Sequence, residues 1–134
     1  MTIKKILDKK NIPVYGNGKQ KRDWLYVKDH VEALIKVINN SEKGKNYCIG
    51  SGKDIRNIDL IKMICKKVDL KLGNNSDSSN LISFVTDRLG HDYRYSIDNK
   101  LIRDEIGWVP KTNLEKGIEK TIDWYLLNKN WIMK

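Results

Sequence analysis

The stretch Arg22-Asp23-Trp24-Leu25-Tyr26-Val27-Lys28-Asp29-His30-Val31-Glu32-Ala33-Leu34-Ile35-Lys36-Val37-Ile38-Asn39 contains two kinds of regular structure in succession. Arg22 to Val27 is rich in aromatic and branched side chains, which suit the pleated surface of a strand. The period then changes. Val31, Leu34, Ile35 and Ile38 recur at i, i+3, i+4 and i+7, an apolar stripe along a helix. Asp29 stands where an N-cap would satisfy the first free amides, so the spacing predicts a helix over about residues 30–39, stopped by Asn39-Asn40-Ser41. A strand feeding an amphipathic helix points to the α/β or mixed α+β class.

The alternation continues outward. Ile3, Ile6 and Leu7 give residues 1–10 a helical spacing, and Ile12-Pro13-Val14-Tyr15-Gly16-Asn17-Gly18-Lys19 reads as a loop or turn. Asn46-Tyr47-Cys48-Ile49 reads as a second strand, closed by Gly50-Ser51-Gly52. Asn57 can cap a helix with Ile61, Ile64, Cys65 and Val68 on one face. Residues 73–80 form a polar loop, and Ile82-Ser83-Phe84-Val85 a strand. Asp98 opens a short helix that Gly107 ends. Thr112-Asn113-Leu114-Glu115 is a capping box before a last helix with Leu114, Ile118, Ile122 and Tyr125 inward. With no internal repeat and no linker, residues 1–134 read as one domain.

Composition narrows the partners. No apolar run approaches the roughly 20 residues of a membrane span, and the first ten residues are too charged for a signal peptide, so a cytoplasmic protein without a membrane partner is expected. Cys48 and Cys65 lack metal-ligand spacing and are expected to be two buried free thiols. Neither they nor His30 and His91 form a ligand pair, so no metal site is expected. His30 is taken as structural. The net charge of +9 would suit nucleic acid, anionic lipid or a phosphorylated ligand. The lysines are scattered, however, and Trp24, Tyr26 and Trp124 fall in core-like patterns rather than on a basic strand face. Nucleic acid is therefore a distant alternative.

Two clusters could bind an anion. Asp87-Arg88-Leu89-Gly90-His91-Asp92-Tyr93-Arg94-Tyr95 joins arginines suited to bidentate phosphate recognition with a glycine that opens the backbone. The plain alternative is a turn in which Asp87 and Asp92 merely satisfy the arginines. Pro13-Val14-Tyr15-Gly16-Asn17-Gly18, with Gln20 and Arg22, could stack a base and hold a phosphate, or simply be a β-turn with Arg22 paired to a carboxylate. Neither Gly16-Asn17-Gly18 nor Gly50-Ser51-Gly52 has the third glycine of a dinucleotide fingerprint. The Tyr-x-x-x-Lys spacings, Tyr15…Lys19 and Tyr125…Lys129, read as chance in so lysine-rich a chain.

The run Pro13 to His30, the Asp87–Tyr95 cluster, and Gly107-Trp108 with Gly117-Ile118-Glu119-Lys120-Thr121-Ile122-Asp123-Trp124-Tyr125 closely resemble the dTDP-glucose 4,6-dehydratases, a branch of the extended short-chain dehydrogenases. That resemblance implies a two-lobed enzyme converting dTDP-glucose to its 4-keto-6-deoxy product. Its N-terminal Rossmann lobe binds NAD and carries the catalytic residues. This sequence would be the C-terminal substrate-binding region, with the Rossmann lobe absent, no catalytic residue and no NAD bound by the chain alone. A Rossmann lobe on a separate chain is a candidate partner, and a dTDP-sugar the expected ligand. The resemblance further implies that Pro13 and Tyr15 line the nucleotide site, that Arg22 holds the diphosphate, and that Arg88 with His91 closes over it. Cys48 would replace an asparagine that hydrogen-bonds the nucleotide, and Leu89 a proline, loosening its turn. The alternative is a non-catalytic sugar-nucleotide-binding module from a related epimerase or dehydratase.

Overall fold

Residues 12 and 82 lie seventy positions apart yet stand side by side, because the chain builds its first sheet from remote segments. The computed structural model describes residues 2–73, 75 and 77–132. Its elements in chain order are α1 (Thr2–Leu7), β1 (Ile12–Tyr15), β2 (Lys21–Asp23), α2 (Val27–Asn40), β3 (Asp54–Arg56), α3 (Asn57–Leu72), β4 (Ile82–Val85), α4 (Lys100–Ile106), α5 (Leu114–Leu127) and α6 (Lys129–Ile132). A single 3₁₀ turn, Ser78–Leu81, precedes β4. β1 pairs with β4 in parallel, Ile12 opposite Ile82 and Tyr15 opposite Val85. β2 pairs with β3 in antiparallel fashion, Arg22 opposite Ile55. Among the described residues no helix is long and apolar enough to cross a membrane.

Several expectations need correction. Half of the expected 12–19 loop is strand β1, and Pro13 is tolerated there because β1 is an edge strand, where a missing amide breaks no central ladder. The strand expected over 22–27 ends at Asp23, since α2 starts at Val27. Asp29 is therefore inside the helix and does not cap it. Its buried carboxylate accepts the Thr112 amide at 2.8 Å and the Thr112 hydroxyl at 3.2 Å. That contact takes Thr112 out of the expected capping box, and Asn113 caps α5 instead, accepting the Lys116 amide at 2.9 Å. Residues 46–49 join no ladder among the described residues: branched and aromatic side chains favour a strand only where a neighbour is there to meet them. Met1 of the expected first helix, and Asn74 and Ser76 of the expected loop, lie outside the described residues.

Two apolar clusters hold the elements. The larger joins Ile3 and Ile6 of α1, Ile12 of β1, Cys65 and Val68 of α3 and Ile122 of α5, with Ile61, Ile64, Ile118 and Tyr125 packed around them. The smaller is Ala33 of α2, Ile102 of α4 and Trp108, flanked by Leu25, Val37, Tyr47 and Ile49. Trp108 is fully buried and its indole N–H meets no acceptor among the described residues. Gly117 lets α5 come close to Tyr26: a Cβ there would lie 3.1 Å from the Tyr26 Cβ, tighter than ordinary contact. The stripe of α2 behaves differently from that of α3: Val31, Leu34, Ile35 and Ile38 all stand exposed, Ile38 by 79%. Trp24 and Trp124 are likewise exposed rather than core residues, and so is His30.

Candidate functional site

Parallel pairing brings the C-terminal ends of β1 and β4 together, so the loops that leave them run side by side. Such ends are where open α/β sheets place ligands. The Gly16 amide extends the pairing by donating to the Val85 carbonyl at 2.8 Å. Gly16 has φ +57°, and a Cβ there would stand 2.8 Å from the Asp87 carboxylate, so the two loops touch because this residue has no side chain. The 87–95 segment is then pinned to β2: Lys21 donates to the Tyr93 carbonyl at 2.8 Å and Tyr95 donates to the Lys21 carbonyl at 3.0 Å. Between these loops and the start of α3 lies a cleft of about 290 Å³, lined by Pro13, Val14, Tyr15, Arg22, Trp24, Asn57, Leu60, Ile61, Arg88 and His91.

Five of the six residues singled out in the sequence, Pro13, Tyr15, Arg22, Arg88 and His91, thus meet at one cleft. Cys48 does not line it. Its thiol is exposed, against the expectation of burial, because the 46–49 segment has no strand beside it among the described residues. Cys65 is buried as expected, which pushes its thiol up to about 11. Leu89 stands fully out at the tip of its turn.

Charge is distributed unevenly around the cleft. Arg56 pairs with Asp59 at 2.6 Å, Arg94 with Asp54, and Arg103 with Asp104 at 3.3 Å. Arg22 and Arg88 have no carboxylate within 4.0 Å among the described residues. The Arg22 guanidinium donates to the Lys21 carbonyl at 2.6 Å and the Asp92 carbonyl at 2.9 Å, and stacks 4.6 Å from the Tyr95 ring centroid. That of Arg88 lies 4.8 Å from the centroid of Tyr15. Asp87 and Asp92 therefore do not neutralise these arginines. Asp87 accepts from His91 at 2.6 Å, from the Arg88 amide at 2.8 Å and from the Gln20 side-chain amide; the His91 contact is the chief cause that holds its carboxyl below the usual range. Asp92 accepts the Tyr95 hydroxyl, which pushes that phenol up. Tyr15 meets the His91 ring edge-on, centroids 6.3 Å apart.

Asn57 is a cleft residue that the sequence did not mark as a site. It begins α3 and makes no side-chain cap; its amide donates to the Gln20 carbonyl at 2.9 Å, while its Oδ1 is buried without a hydrogen-bond partner among the described residues. The available signal was an asparagine at the junction of a strand and a helix. Trp24 and Leu60 were missed too, because nothing in their spacing separates a wall from a core.

The glycine pairs serve other ends. The amides of Ser51 and Gly52 both close on the Asp23 carboxylate at 2.8 Å, so this small nest is already filled. Gly16 and Gly18 lead into β2, Gly50 and Gly52 into β3; neither pair opens directly into a helix as a dinucleotide cradle requires. Neither glycine pair therefore supplies a dinucleotide cradle. Tyr125 and Lys129 sit on different helices, separated at Asn128.

The family model described as GDP-mannose 4,6 dehydratase matches residues 1–121. The chain belongs to this family. Within the GDP-mannose 4,6 dehydratase family it is 48% identical to a dTDP-glucose 4,6-dehydratase of Escherichia coli over 126 residues, which cover 91% of this chain and 35% of that protein. A dTDP-glucose 4,6-dehydratase of Streptomyces venezuelae, solved with NAD bound, superposes with a TM-score of 0.86 at 31% identity, over 97% of this chain and 38% of that one. A UDP-glucose 4-epimerase of Thermotoga maritima, at 21% identity and a TM-score of 0.82, shares the fold. This family member thus spans little more than a third of the length of the dehydratases it matches, and its mixed α/β fold is that of dehydratases and epimerases.

Proposed function

We propose that this chain forms the nucleotide-sugar-binding part of a dTDP-glucose 4,6-dehydratase and receives the diphosphate of a dTDP-sugar between Arg22 and Arg88. One observation carries the reading: the two arginines at the cleft are the two without a carboxylate partner among the described residues, while Arg56, Arg94 and Arg103 are all ion-paired. A guanidinium fork meets a phosphate with two aligned hydrogen bonds, where a lysine offers a hydrated point charge. Tyr15 and Trp24 give the cleft aromatic faces for a base or sugar, and Asn57 brings an amide whose oxygen is still unpartnered. Pro13 stiffens the strand beneath, and His91 stands beside Arg22 at the end that meets the diphosphate. Cys48 has no place in this site.

The dehydration belongs, in this reading, to the complete enzyme, whose NAD supplies hydride transfer. The exposed stripe of α2 is where a dinucleotide-binding lobe, in the same polypeptide or in a second one, would pack.

The test is titration of dTDP-glucose into the wild type and into Arg22→Ala, Arg88→Ala and Lys66→Ala. Each arginine variant should lose about 1.5–3 kcal/mol, roughly ten- to a hundredfold in affinity. Lys66→Ala should lose far less, because water and salt already screen it. Equal losses in all three would overturn the site. So would turnover of dTDP-glucose by this chain alone, since this reading gives the chain binding and leaves the chemistry to the complete enzyme.

A further inference from the structure

His91 has both ring nitrogens engaged. Nδ1 lies 2.6 Å from Oδ1 of Asp87, and Nε2 lies 3.0 Å from Nη2 of Arg22. A guanidinium only donates, so Nε2 is a bare acceptor. An ionised carboxylate only accepts, so Nδ1 carries the ring's one proton. The network thereby assigns His91 as neutral and as a single tautomer. The charged groups in contact with it are Asp87 on its own loop and Arg22 on β2. Arg88 lines the same cleft with its guanidinium over Tyr15, Asp92 turns its carbonyl to Arg22 and its carboxylate to Tyr95, and the Tyr15 ring on β1 meets it nearly perpendicular. A second ring proton would point at the Arg22 donor and add a third cation to the cleft. Until an anion arrives, it is excluded.

A diphosphate in the cleft reverses these terms. It competes with Nε2 for the Arg22 N–H, and its negative charge offsets an imidazolium that Asp87 already supports from behind. We propose that Asp87 is a positioning residue that holds His91 with Nε2 toward Arg22, and that a nucleotide-sugar diphosphate, in taking that Arg22 donor, draws one proton from solvent onto Nε2. No bond between heavy atoms changes: the proton leaves water or buffer, the new N–H donates to phosphate, and the Arg22 donor moves from nitrogen to phosphate oxygen. The inference rests on the nucleotide-sugar reading above, because the diphosphate must enter this cleft. Since binding takes up a proton, affinity falls as pH rises, by up to about tenfold per pH unit.

The experiment is calorimetric titration of dTDP-glucose into the chain, between about pH 6.5 and 8, in buffers of different ionisation enthalpy. The diphosphate of this ligand is a diester with no proton of its own to exchange there. The expected result is uptake approaching one proton per ligand at the upper end of the range. His91→Gln should bind with no uptake, and Asp87→Asn should bind more weakly with reduced uptake; a merely structural Asp87 would leave the proton count unchanged. Nitrogen NMR of the rings gives a second reading without altering the site, because the chain has 2 histidines and the exposed His30 can be assigned with His30→Asn. The free protein should show the Nδ1–H tautomer and the complex an imidazolium. Binding without uptake, uptake that persists in His91→Gln, or a ring already cationic in the free protein would overturn the proposal. Absence of binding at every pH would overturn the nucleotide-sugar reading itself, and this inference with it.

Discussion

Helices α2 and α3 carry apolar stripes of similar quality in the sequence and have opposite fates in the structure. The stripe of α3 is covered, with Cys65 and Val68 sealed against α1, β1 and α5. The stripe of α2 has Ala33 buried on its inner side, while Val31, Leu34, Ile35 and Ile38 face outward. The difference lies in what each helix has beside it. Periodicity reports that a face is apolar, and burial depends on whether another element arrives to cover it. The 46–49 segment repeats the lesson: it has the side chains of a strand and, among the described residues, no strand alongside.

The largest expected effect contrasts the two stripes directly. Ile122→Ala, in the cluster that covers α3, should destabilise by about 2–5 kcal/mol through lost burial and a residual cavity. Ile35→Ser on α2 should change stability by no more than about 0.5 kcal/mol while raising solubility. Urea unfolding of both variants would break the comparison if the two costs were alike.

Asp29 is the polar anchor on the inner side of α2, and Asp29→Ala leaves the Thr112 amide without its partner. A loss of about 1–3 kcal/mol is expected in the same measurement. A loss near zero would mean that α2 is held by Ala33 and Val37 alone.

The third expectation concerns acid. Asp54, Asp87 and Glu119 are held below the ordinary carboxylate range, chiefly by Arg94, His91 and Lys67 respectively. A carboxyl whose folded value is depressed stabilises the fold above its unfolded value and loses that contribution as pH falls through the folded one. The midpoint of thermal unfolding should therefore be flat above about pH 5 and decline below about pH 4. A midpoint that rises on acidification would show the sign to be wrong. Smallest in energy is the contrast of thiols: Cys48 should be alkylated in the native protein, while Cys65, buried and pushed up to about 11, should react only after unfolding. Native labelling of both at equal rates would mean that the α3 cluster opens readily.

The strongly periodic or punctuated elements were legible in the sequence. α3, β4, α4 with its left-handed Gly107, and the inward face of α5 all lie where spacing and the closing glycine put them, although Asn57 and Asp98 do not cap their helices as expected: Arg56 and Asn99 stand at those N-caps. What was not legible depended on remote partners. β1 looked like a loop because Pro13 and two glycines punctuate it, and only β4 makes it a strand. Asp29 and Thr112 each looked like a local cap; they bind each other across the fold instead. At the candidate site, chemistry-bearing side chains such as Arg22, Arg88 and His91 stood out by type. Asn57 was read as a cap, because its place at the cleft follows from how β2 meets α3 and not from its own surroundings in the sequence.

The burial of Trp108 gives the molecule an optical asymmetry. Of the 4 tryptophans, Trp24, Trp124 and Trp131 are open to solvent, while Trp108 is sealed beneath Ala33 with its indole N–H unpartnered among the described residues. A dissolved quencher such as iodide should extinguish the first three and spare the fourth. The emission that survives comes from the cluster directly under α2, so the protein carries its own lamp behind a helix whose outer apolar face lies bare.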